Sequence, residues 1–519
     1  MPVSSTSSLQ DSDTSDAVAE CDVLVIGAGP TGMTFANLIA ARGHRVVVVE
    51  RHRHLYGLSR AGHLDHEAIR VLQGIDCHDE VLADAVPRLR NRWLNGAGEV
   101  MWEFEHWQVS TSSYPSASFY QPVLEDALDR RLRQTSSVEL VRGSEAHPLE
   151  QACDGVLVEV TDRDGGRRRI KAAYVVAADG AGSPTRSWLG VNRYDYGFNE
   201  RWCTVDVAYR RPVDFGPPAV VGDPKRPHFF GNLGKRHHRF EWQLFPQEST
   251  DEFSQEEKAW GLLASAGVMR EDVEVIRHTV FTFEYRIAER WRVGRVFLLG
   301  DAAHTMAPTL GQGMCSGMRD GDNLAWKLDL VLAGRAGQAL LDTYQAERLP
   351  HVKAWGDMSK LAGEVAFTTD EREAAARDEL LRQGKLPDFG PPPQLGDGVR
   401  YHRAGAVLAG ASFPQRRVAP ARGEPALIDD VLGDGFGLVS VVPLADLSGD
   451  DISLLKELRI RSLEINSVSI DSEGFYVPFF AKHGVEVALV RPDRYVFGAG
   501  KVSELSDILR DLRRQLLAD

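Results

Sequence analysis

The stretch "CDVLVIGAGPTGMTFANLIAARGHRVVVVE", residues 21–50, decides the fold. An apolar run ends in GAGPTG, a helical pattern follows, and a second apolar run closes on Glu50. This order predicts a complete βαβ dinucleotide-binding unit. Gly27 permits the tight turn, Gly29 lets backbone approach a pyrophosphate, and Gly32 lets the helix pack close to the strand. Glu50 falls where an acid takes the ribose hydroxyls of the nucleotide.

Two later stretches repeat the pattern of a buried strand that ends on a carboxylate. They are "YVVAADGAGSPTRSWLG", residues 174–190, with Asp179, and "GRVFLLGDAAHTMAPTLGQG", residues 294–313, with Asp301. Open α/β sheets bind ligands at the carboxyl ends of their strands, so both aspartates are candidate ligand contacts. The glycines of GQG begin a predicted helix whose N–H groups favour negative charge. Taken alone, the second stretch is equally compatible with an ordinary tight turn.

Composition narrows the class of protein. The 519 residues are 43% hydrophobic and 26% charged, which is ordinary for a globular chain long enough for several domains. The net charge of −14, without a long basic stripe, argues against nucleic acid as a partner. No apolar segment reaches membrane-spanning length, so no membrane partner is expected. Five scattered cysteines without a C-x-x-C motif support neither a disulfide framework nor a zinc site, and they fit a cytoplasmic protein.

The pattern along the chain divides it into several parts. A Ser/Thr/Asp-rich start, without the apolar core of a secretory signal, predicts a disordered tail. Alternating aromatic-rich segments predict an antiparallel sheet, an α+β insert between two nucleotide-binding portions of an α/β domain. The predicted divisions are a tail at 1–18, a first nucleotide-binding part at 19–195, the inserted sheet at 196–288, a second part with long helices at 289–383, a Pro/Gly-rich linker at 384–400, and a small α/β domain at 401–519.

The three motifs in this order resemble the single-component FAD-dependent aromatic hydroxylases, which are p-hydroxybenzoate hydroxylase-like flavoprotein monooxygenases. The resemblance covers roughly residues 20–380. More narrowly, "LYGLSRAGHLDHEAIRVLQ" and "GQGMCSGMRDGDNLAWKL" are similar to the 3-(3-hydroxyphenyl)propionate hydroxylase branch. The resemblance implies a Rossmann-like FAD-binding domain, an inserted antiparallel-sheet substrate domain and a C-terminal thioredoxin-like domain. No cysteine follows Cys315, so the last domain is expected to be structural.

The resemblance also implies the cofactor contacts. Asp301 would bind the ribityl chain of FAD, and Pro308 would shape the loop over the flavin. Arg60 and Gln121 match positions near the pyrophosphate and ribityl regions, and Asp179 lies with Arg186 in a motif for FAD and NAD(P)H contact. The full predicted set is Gly27, Gly29, Pro30, Thr31, Gly32, Glu50, Arg51, Arg60, Gln121, Asp179, Asp301, Pro308, Gly311, Gln312, Gly313 and Met314.

The activity that the resemblance implies is NAD(P)H- and FAD-dependent hydroxylation of a phenolic substrate with molecular oxygen, through a flavin C4a-hydroperoxide. A flavin-dependent oxygenase that tailors a polyketide or another natural product is the alternative. The chain has one dinucleotide fingerprint, so NADH or NADPH is expected to visit the flavin without a dedicated tight site. A FAD-binding scaffold without turnover would need a degraded flavin-facing loop, and that loop is intact. A homodimer is expected.

Three stretches contain histidines that are candidates for catalysis, anion binding or metal binding. In "AGHLDHEAI", His63 is the candidate catalytic base, because histidine titrates near neutral pH, while a capping Asp65 and a surface His66 at a helix start are the alternative. "GKRHHR", residues 234–239, could bind an anionic substrate, but a solvated hairpin turn is favoured. "ERHRH" follows a strand and lacks further ligands at suitable spacing, so no metal site is predicted, and Arg51 is assigned to the nucleotide phosphates.

Overall fold

A computed structural model describes residues 18–105, 115–385, 388–390, 392–403, 406–419, 424–444, 447–465 and 470–518. Except for Val18, the predicted N-terminal tail lies outside the described residues. Residues 386, 387 and 391 of the predicted linker also lie outside them.

The dinucleotide stretch lies at the centre of an eight-stranded sheet. The strand at 19–26 runs parallel to the strand at 46–50 on one side and to the strand at 167–177 on the other. The strand at 167–177 in turn runs parallel to the strand at 296–298. Buried valines, leucines and isoleucines occupy both faces of these strands, as expected for a parallel sheet covered on both sides. Helices cover one face, and the strands at 144–151 and 156–162 pack against the other. The strands are β1 Ala19–Ile26, β2 Val46–Glu50, β8 Val138–Arg142, β9 Ser144–Gln151, β10 Val156–Asp162, β11 Arg167–Ala177, β17 Arg292–Val293 and β18 Val296–Leu298.

A second eight-stranded sheet, mostly antiparallel, contains the predicted aromatic-rich strands. It extends beyond the predicted insert, because a hairpin from residues 90–105 and a short strand at 304–305 join its two ends. The hairpin pairs with an otherwise open edge strand, which satisfies backbone groups that would be left unpaired. The strands are β5 Arg90–Asn95, β6 Val100–Glu105, β12 Arg193–Tyr209, β13 Ala219–Gly222, β14 His228–Leu233, β15 His237–Gln243, β16 Val273–Ala288 and β19 His304–Thr305.

A small antiparallel sheet and the helices complete the part that precedes residue 400. The sheet consists of β3 His63–Asp65, β4 Val86–Pro87 and β7 Ser116–Ser118. The helices are α1 Pro30–Ala41, α2 His66–Gln73, α3 His78–Asp84, α4 Gln121–Gln134, α5 Pro184–Trp188, α6 Thr250–Phe253, α7 Glu256–Ser265, α8 Gln312–Leu332, α9 Thr343–Ala366 and α10 Glu371–Arg382.

The C-terminal segment has the strand order of a thioredoxin fold, as predicted. This order belongs to the four-stranded sheet within residues 437–500. Its first two strands are parallel, and its third and fourth strands are antiparallel to their neighbours. The order across the sheet is second, first, third, fourth. The elements are β20 Arg417–Val418, β21 Ala426–Leu427, α11 Ile428–Leu432, β22 Gly437–Ser440, α12 Gly449–Glu457, β23 Arg461–Glu464, α13 Tyr476–His483, β24 Val487–Val490, β25 Val496–Gly500 and α14 Leu505–Leu516.

Helix α14 is amphipathic, and its apolar side is buried against the C-terminal sheet. The same hydrophobic cluster includes Trp326 and Leu330 of α8, so this domain packs against the helix that begins with the GQG motif. Among the described residues, no helix is both long and apolar enough to cross a membrane.

Candidate active site

The three predicted motifs meet at one edge of the first sheet. Neighbouring strands β1, β11 and β18 end beside one another, which brings the Gly27 turn, Asp179 and Asp301 together. A cavity of about 740 Å³ opens there and reaches the second sheet, a size typical of ligand pockets. Every residue predicted as a cofactor contact lines it, with the exceptions of Gln312 and Arg186.

The exceptions have structural contacts instead. The Gln312 side chain is buried, and its amide oxygen accepts a hydrogen bond from Arg319 at 2.7 Å. Arg186 donates to the carbonyl oxygens of Ala302 and Ala181, each at 2.8 Å. It thereby joins the turn after β11 to the turn after β18.

The glycine-rich turn leaves no room for side chains where it meets its neighbours. Gly27 has a φ of +101°, and a Cβ there would lie 2.4 Å from the Ala178 carbonyl oxygen. A Cβ on Gly32 would lie 2.1 Å from the Gly27 oxygen, while the space beside Gly29 is open. The first turn of α1 lines the cavity, and its N–H groups have no helical acceptor. This cradle fits the pyrophosphate of a dinucleotide.

The end of β2 holds the predicted ribose contact. The Glu50 carboxylate accepts hydrogen bonds from the N–H groups of Ala28 at 2.8 Å and His52 at 2.9 Å. These contacts fix the carboxylate on the cavity wall beside the glycine turn. Arg51 is exposed and lines the same end of the cavity.

Asp301 faces the cavity, where its carboxylate is accessible but surrounded by protein. This enclosure raises the pKa of the Asp301 carboxyl above its usual value, and His304 and Arg60 oppose the rise. The turn is held from behind by buried Asp320, which accepts from Gly300 N–H at 3.2 Å and lies 2.6 Å from His304 Nε2. Asp320 was not singled out in the sequence, although it belongs to the quoted GQGMCSGMRDGD segment.

The loop at residues 308–314 leads into α8. Gly311 has a φ of +64° at the N-terminus of that helix, and its N–H donates to the Pro308 carbonyl at 2.8 Å. A Cβ on Gly311 would lie 2.9 Å from the His63 side chain. Gly313 and Met314 of the first helical turn line the cavity. Cys315 is buried, and burial raises the pKa of its thiol, so the thiol stays protonated at neutral pH.

His63 lies between this loop and the small sheet. Its Nε2 is 2.7 Å from the Ser116 hydroxyl, and its Nδ1 is 3.4 Å from the Gly311 carbonyl oxygen. The alternative interpretation of this stretch is correct for Asp65, which caps α2 by accepting from Ala68 N–H at 2.8 Å. Asp65 is also buried against Arg319 at 2.5 Å. Burial would raise its pKa, but Arg319, His66 and the Ala68 N–H together outweigh burial and hold the pKa below its usual value.

Residues 20–359 match the FAD binding domain family, and residues 410–515 match the HcaD C-terminal domain. The chain belongs to the FAD binding domain family.

Curated relatives match along almost the whole chain. A probable NADH-specific resorcinol 4-hydroxylase of Rhodococcus jostii (strain RHA1) is 36% identical over 95% of this chain and 94% of its own. A 3-(3-hydroxy-phenyl)propionate/3-hydroxycinnamic acid hydroxylase of Mycolicibacterium gilvum (strain PYR-GCK) is 34% identical over 92% and 89%. The prediction of a FAD-dependent aromatic hydroxylase is therefore confirmed.

Solved structures agree on the fold. The complex of aklavinone-11 hydroxylase with FAD and aklavinone gives a TM-score of 0.80 at 24% identity, covering 96% of this chain and 99% of that one. The predicted combination of an α/β FAD-binding fold with an antiparallel sheet is confirmed by this likeness.

In this FAD binding domain protein, the GKRHHR stretch differs from its prediction. The hairpin turn occupies residues 234–236, but His238 and Arg239 beyond it are buried, so the prediction of a solvated stretch is wrong for both. Arg239 lies opposite Asp206 on β12 and donates to its carboxylate at 2.7 Å, which compensates the buried charge. No local pattern could identify this partner, because it comes from a different strand.

Arg239 also shapes the cavity. It donates to the carbonyl oxygens of Ser59 at 2.6 Å and Arg60 at 2.7 Å, while Gln121 accepts from the N–H groups of Arg60 and Ala61 at 2.8 Å. The backbone at 59–61 is thus held from both sides. The Arg60 guanidinium stacks over the Tyr56 ring, 4.6 Å from its centroid, and faces the cavity.

The part of the cavity nearest the second sheet is largely apolar. The apolar side chains lining this part are Trp202, Val220, Phe229, Phe281, Phe283, Met306 and Phe367. Arg88, Asn232 and Glu241 add polar groups to it, as in pockets that orient a flat apolar ligand.

Proposed function

We propose that this chain is an NADH-dependent monooxygenase that uses FAD to hydroxylate a phenolic ring. The observation that carries the proposal is the continuous cavity, which has a dinucleotide cradle at one end and an aromatic chamber at the other. The curated relatives named above are hydroxylases of resorcinol and of a hydroxyphenyl acid, which favours a small phenol over a polyketide. The name of the first relative favours NADH over NADPH.

The residues that would hold FAD are those predicted. The Gly27–Gly32 turn and α1 would bind the pyrophosphate, Glu50 the adenosine ribose, and Asp301 the ribityl chain. Reduced by NADH, FAD supplies the oxygen-activating chemistry, and the protein supplies orientation and electrostatics. The N-terminus of α8 would lie at the pyrimidine edge of the flavin, where a helix terminus stabilises negative charge by about 0.3–2 kcal/mol.

The chain's own groups would prepare the phenol. The apolar chamber excludes water and orients the ring beside the 308–314 loop. His63 would accept the phenol proton through a ring nitrogen, which makes the ring more electron-rich for attack by an electrophile. Its contacts with Ser116 and Gly311 set the direction of the ring.

The test uses FAD-loaded enzyme, NADH and a panel of phenols in labelled oxygen. We expect phenol-stimulated NADH oxidation and a hydroxylated product that carries one oxygen atom from O₂. NADH oxidation that yields only hydrogen peroxide with every phenol, or no bound FAD, would contradict the proposal. A homodimer, measurable by light scattering, and a cytoplasmic location both stay predictions.

A further inference from the structure

Arg88 lies in the cavity wall and has no carboxylate partner among the described residues. Arg88 follows β4, and its N–H donates to the Ser116 carbonyl at 2.8 Å. Its side chain lines the cavity, and its Nε is enclosed by protein and forms no hydrogen bond within the part of the chain that the structure describes. Among the residues that the structure describes, no carboxylate forms an ion pair with this guanidinium. Burial lowers the pKa of Arg88 to about 10, so the group stays charged at neutral pH.

Most of the buried arginines that the structure describes have a carboxylate partner. Five pair with a buried carboxylate: Arg70 with Asp429, Arg239 with Asp206, Arg319 with Asp65, Arg348 with Asp320, and Arg491 with Glu347. Buried Arg186 and Arg277 donate to backbone carbonyl oxygens instead. An enclosed charge without a partner is strongly unfavourable, because protein replaces the water that solvated it. A ligand that enters the cavity could supply the missing anion.

The position of Arg88 relates it to the reacting end of the cavity. Ser116 joins the two groups, because its carbonyl accepts from Arg88 N–H and its hydroxyl lies 2.7 Å from His63 Nε2. His63 in turn contacts Gly311 of the loop that precedes α8. Arg88, His63 and Gly311 all line the same cavity, so an anion held by Arg88 would lie in the cavity that His63 and that loop face.

We propose that Arg88 binds an anionic oxygen of the aromatic substrate, which is either a side-chain carboxylate or the ionised phenol itself. This inference rests on the proposed function and specifies its substrate class. A guanidinium presents a planar set of donors that matches a carboxylate and also binds a single oxyanion. The curated relatives act on both kinds of phenol, since resorcinol has no carboxylate and 3-(3-hydroxyphenyl)propionate has one.

The experiment measures binding without turnover. FAD-loaded enzyme is titrated, in the absence of NADH, with 3-(3-hydroxyphenyl)propionate, its primary amide and resorcinol, and the flavin absorption spectrum reports each Kd. The variants are Arg88→Gln and Arg88→Lys. The matched control is Arg130→Gln, which removes an exposed guanidinium paired with Glu80. Flavin content and circular dichroism verify that each variant is folded.

If Arg88 binds the side-chain carboxylate of the substrate, its replacement should weaken the binding of the acid and leave the other two ligands unaffected. Arg88→Gln should raise the Kd of the acid by about tenfold or more, as expected for a lost charge-assisted hydrogen bond. Arg88→Lys should restore part of the affinity, and Kd for the amide and resorcinol should stay within about twofold of the control.

A phenolate partner predicts a different pattern, in which Arg88→Gln weakens all three ligands and raises the pH at which the bound phenol ionises. Either pattern supports the inference and assigns the source of the anion. Unchanged Kd values for all three ligands in both variants would overturn it. If the Kd values are unchanged but the wild type hydroxylates phenols, the proposed function stands and only the inference about Arg88 fails. A wild type that binds no phenol would contradict both the inference and the proposed function.

Discussion

Replacing Glu347 with Gln should destabilise the folded chain by about 3 kcal/mol. Glu347 lies on α9 and is fully buried where α8 and α9 meet the C-terminal domain. Its carboxylate accepts hydrogen bonds from Arg491 at 2.7 Å, Lys327 at 2.8 Å and the N–H of Val399 at 2.6 Å. Gln keeps the shape but removes the charge, so Arg491 is left with Asp493 at 2.6 Å as its anionic partner.

Two independent considerations give this magnitude. Burial alone would raise the pKa of Glu347, but Arg491 and Lys327 outweigh burial and lower it from 4.5 to about 2. At about 1.4 kcal/mol for each tenfold change in proton affinity, this lowering corresponds to about 3 kcal/mol. Removing one partner of a buried ion pair costs about 3–5 kcal/mol in other proteins.

The pH dependence follows from the sign of each shift. The folded pKa of Glu347 lies below its unfolded value, so its contribution is present above pH 4.5 and is lost as the pH falls toward 2. Burial also lowers the pKa of Lys327 to about 8, even with Glu347 beside it. Without Glu347 that pKa falls further, and Lys327 releases its proton in the folded variant at a lower pH. The difference in the free energy of unfolding between wild type and Glu347→Gln should therefore be smaller at pH 8 than at pH 6.

The assay is urea unfolding of both proteins in the same excess of FAD, because bound ligand adds stability by mass action. The control is Glu364→Gln on the same helix, where an exposed carboxylate pairs with Lys360 at 2.7 Å. That exposed pair should contribute less than about 0.5 kcal/mol. If the free energy of unfolding of Glu347→Gln lies within about 1 kcal/mol of that of Glu364→Gln, the reasoning is refuted. Such a difference is well below the cost of breaking a buried ion pair.

Three further outcomes are expected. Asp301→Ala should weaken FAD binding at least about tenfold without a comparable loss of stability in the apoprotein, because its carboxylate faces the cavity; unchanged occupancy at limiting FAD would contradict this. Gly32→Ala should abolish FAD binding, since the new Cβ would lie 2.1 Å from the Gly27 oxygen, and a normal flavin content would be the contrary result. A thiol reagent should label only exposed Cys153 in the native protein, because the other four cysteines are buried, and Cys153→Ser should leave no labelling; faster reaction at a second thiol would show otherwise.

The elements that the sequence determined by itself are those whose signal is local. The apolar runs, the glycine spacing and Glu50 define a βαβ unit within thirty residues, and the structure has that unit. Asp179 and Asp301 were predicted as ligand contacts because open α/β sheets bind ligands at the carboxyl ends of their strands. The roles predicted for individual residues, including His63 as a base, stay predictions.

The tertiary structure decided which charges are buried and what they face. Arg239 belongs to a sequence that is typical of a solvated turn, yet Asp206, 33 residues away, pairs with it across the sheet. Gln312 lies in the predicted flavin-facing motif, yet Arg319 holds its side chain away from the cavity. Arg88 carries no local signal and lines the cavity only because β4 pairs with β7. The free energy of a buried charge depends on partners distant in the chain, and the order of residues along one segment does not contain that information.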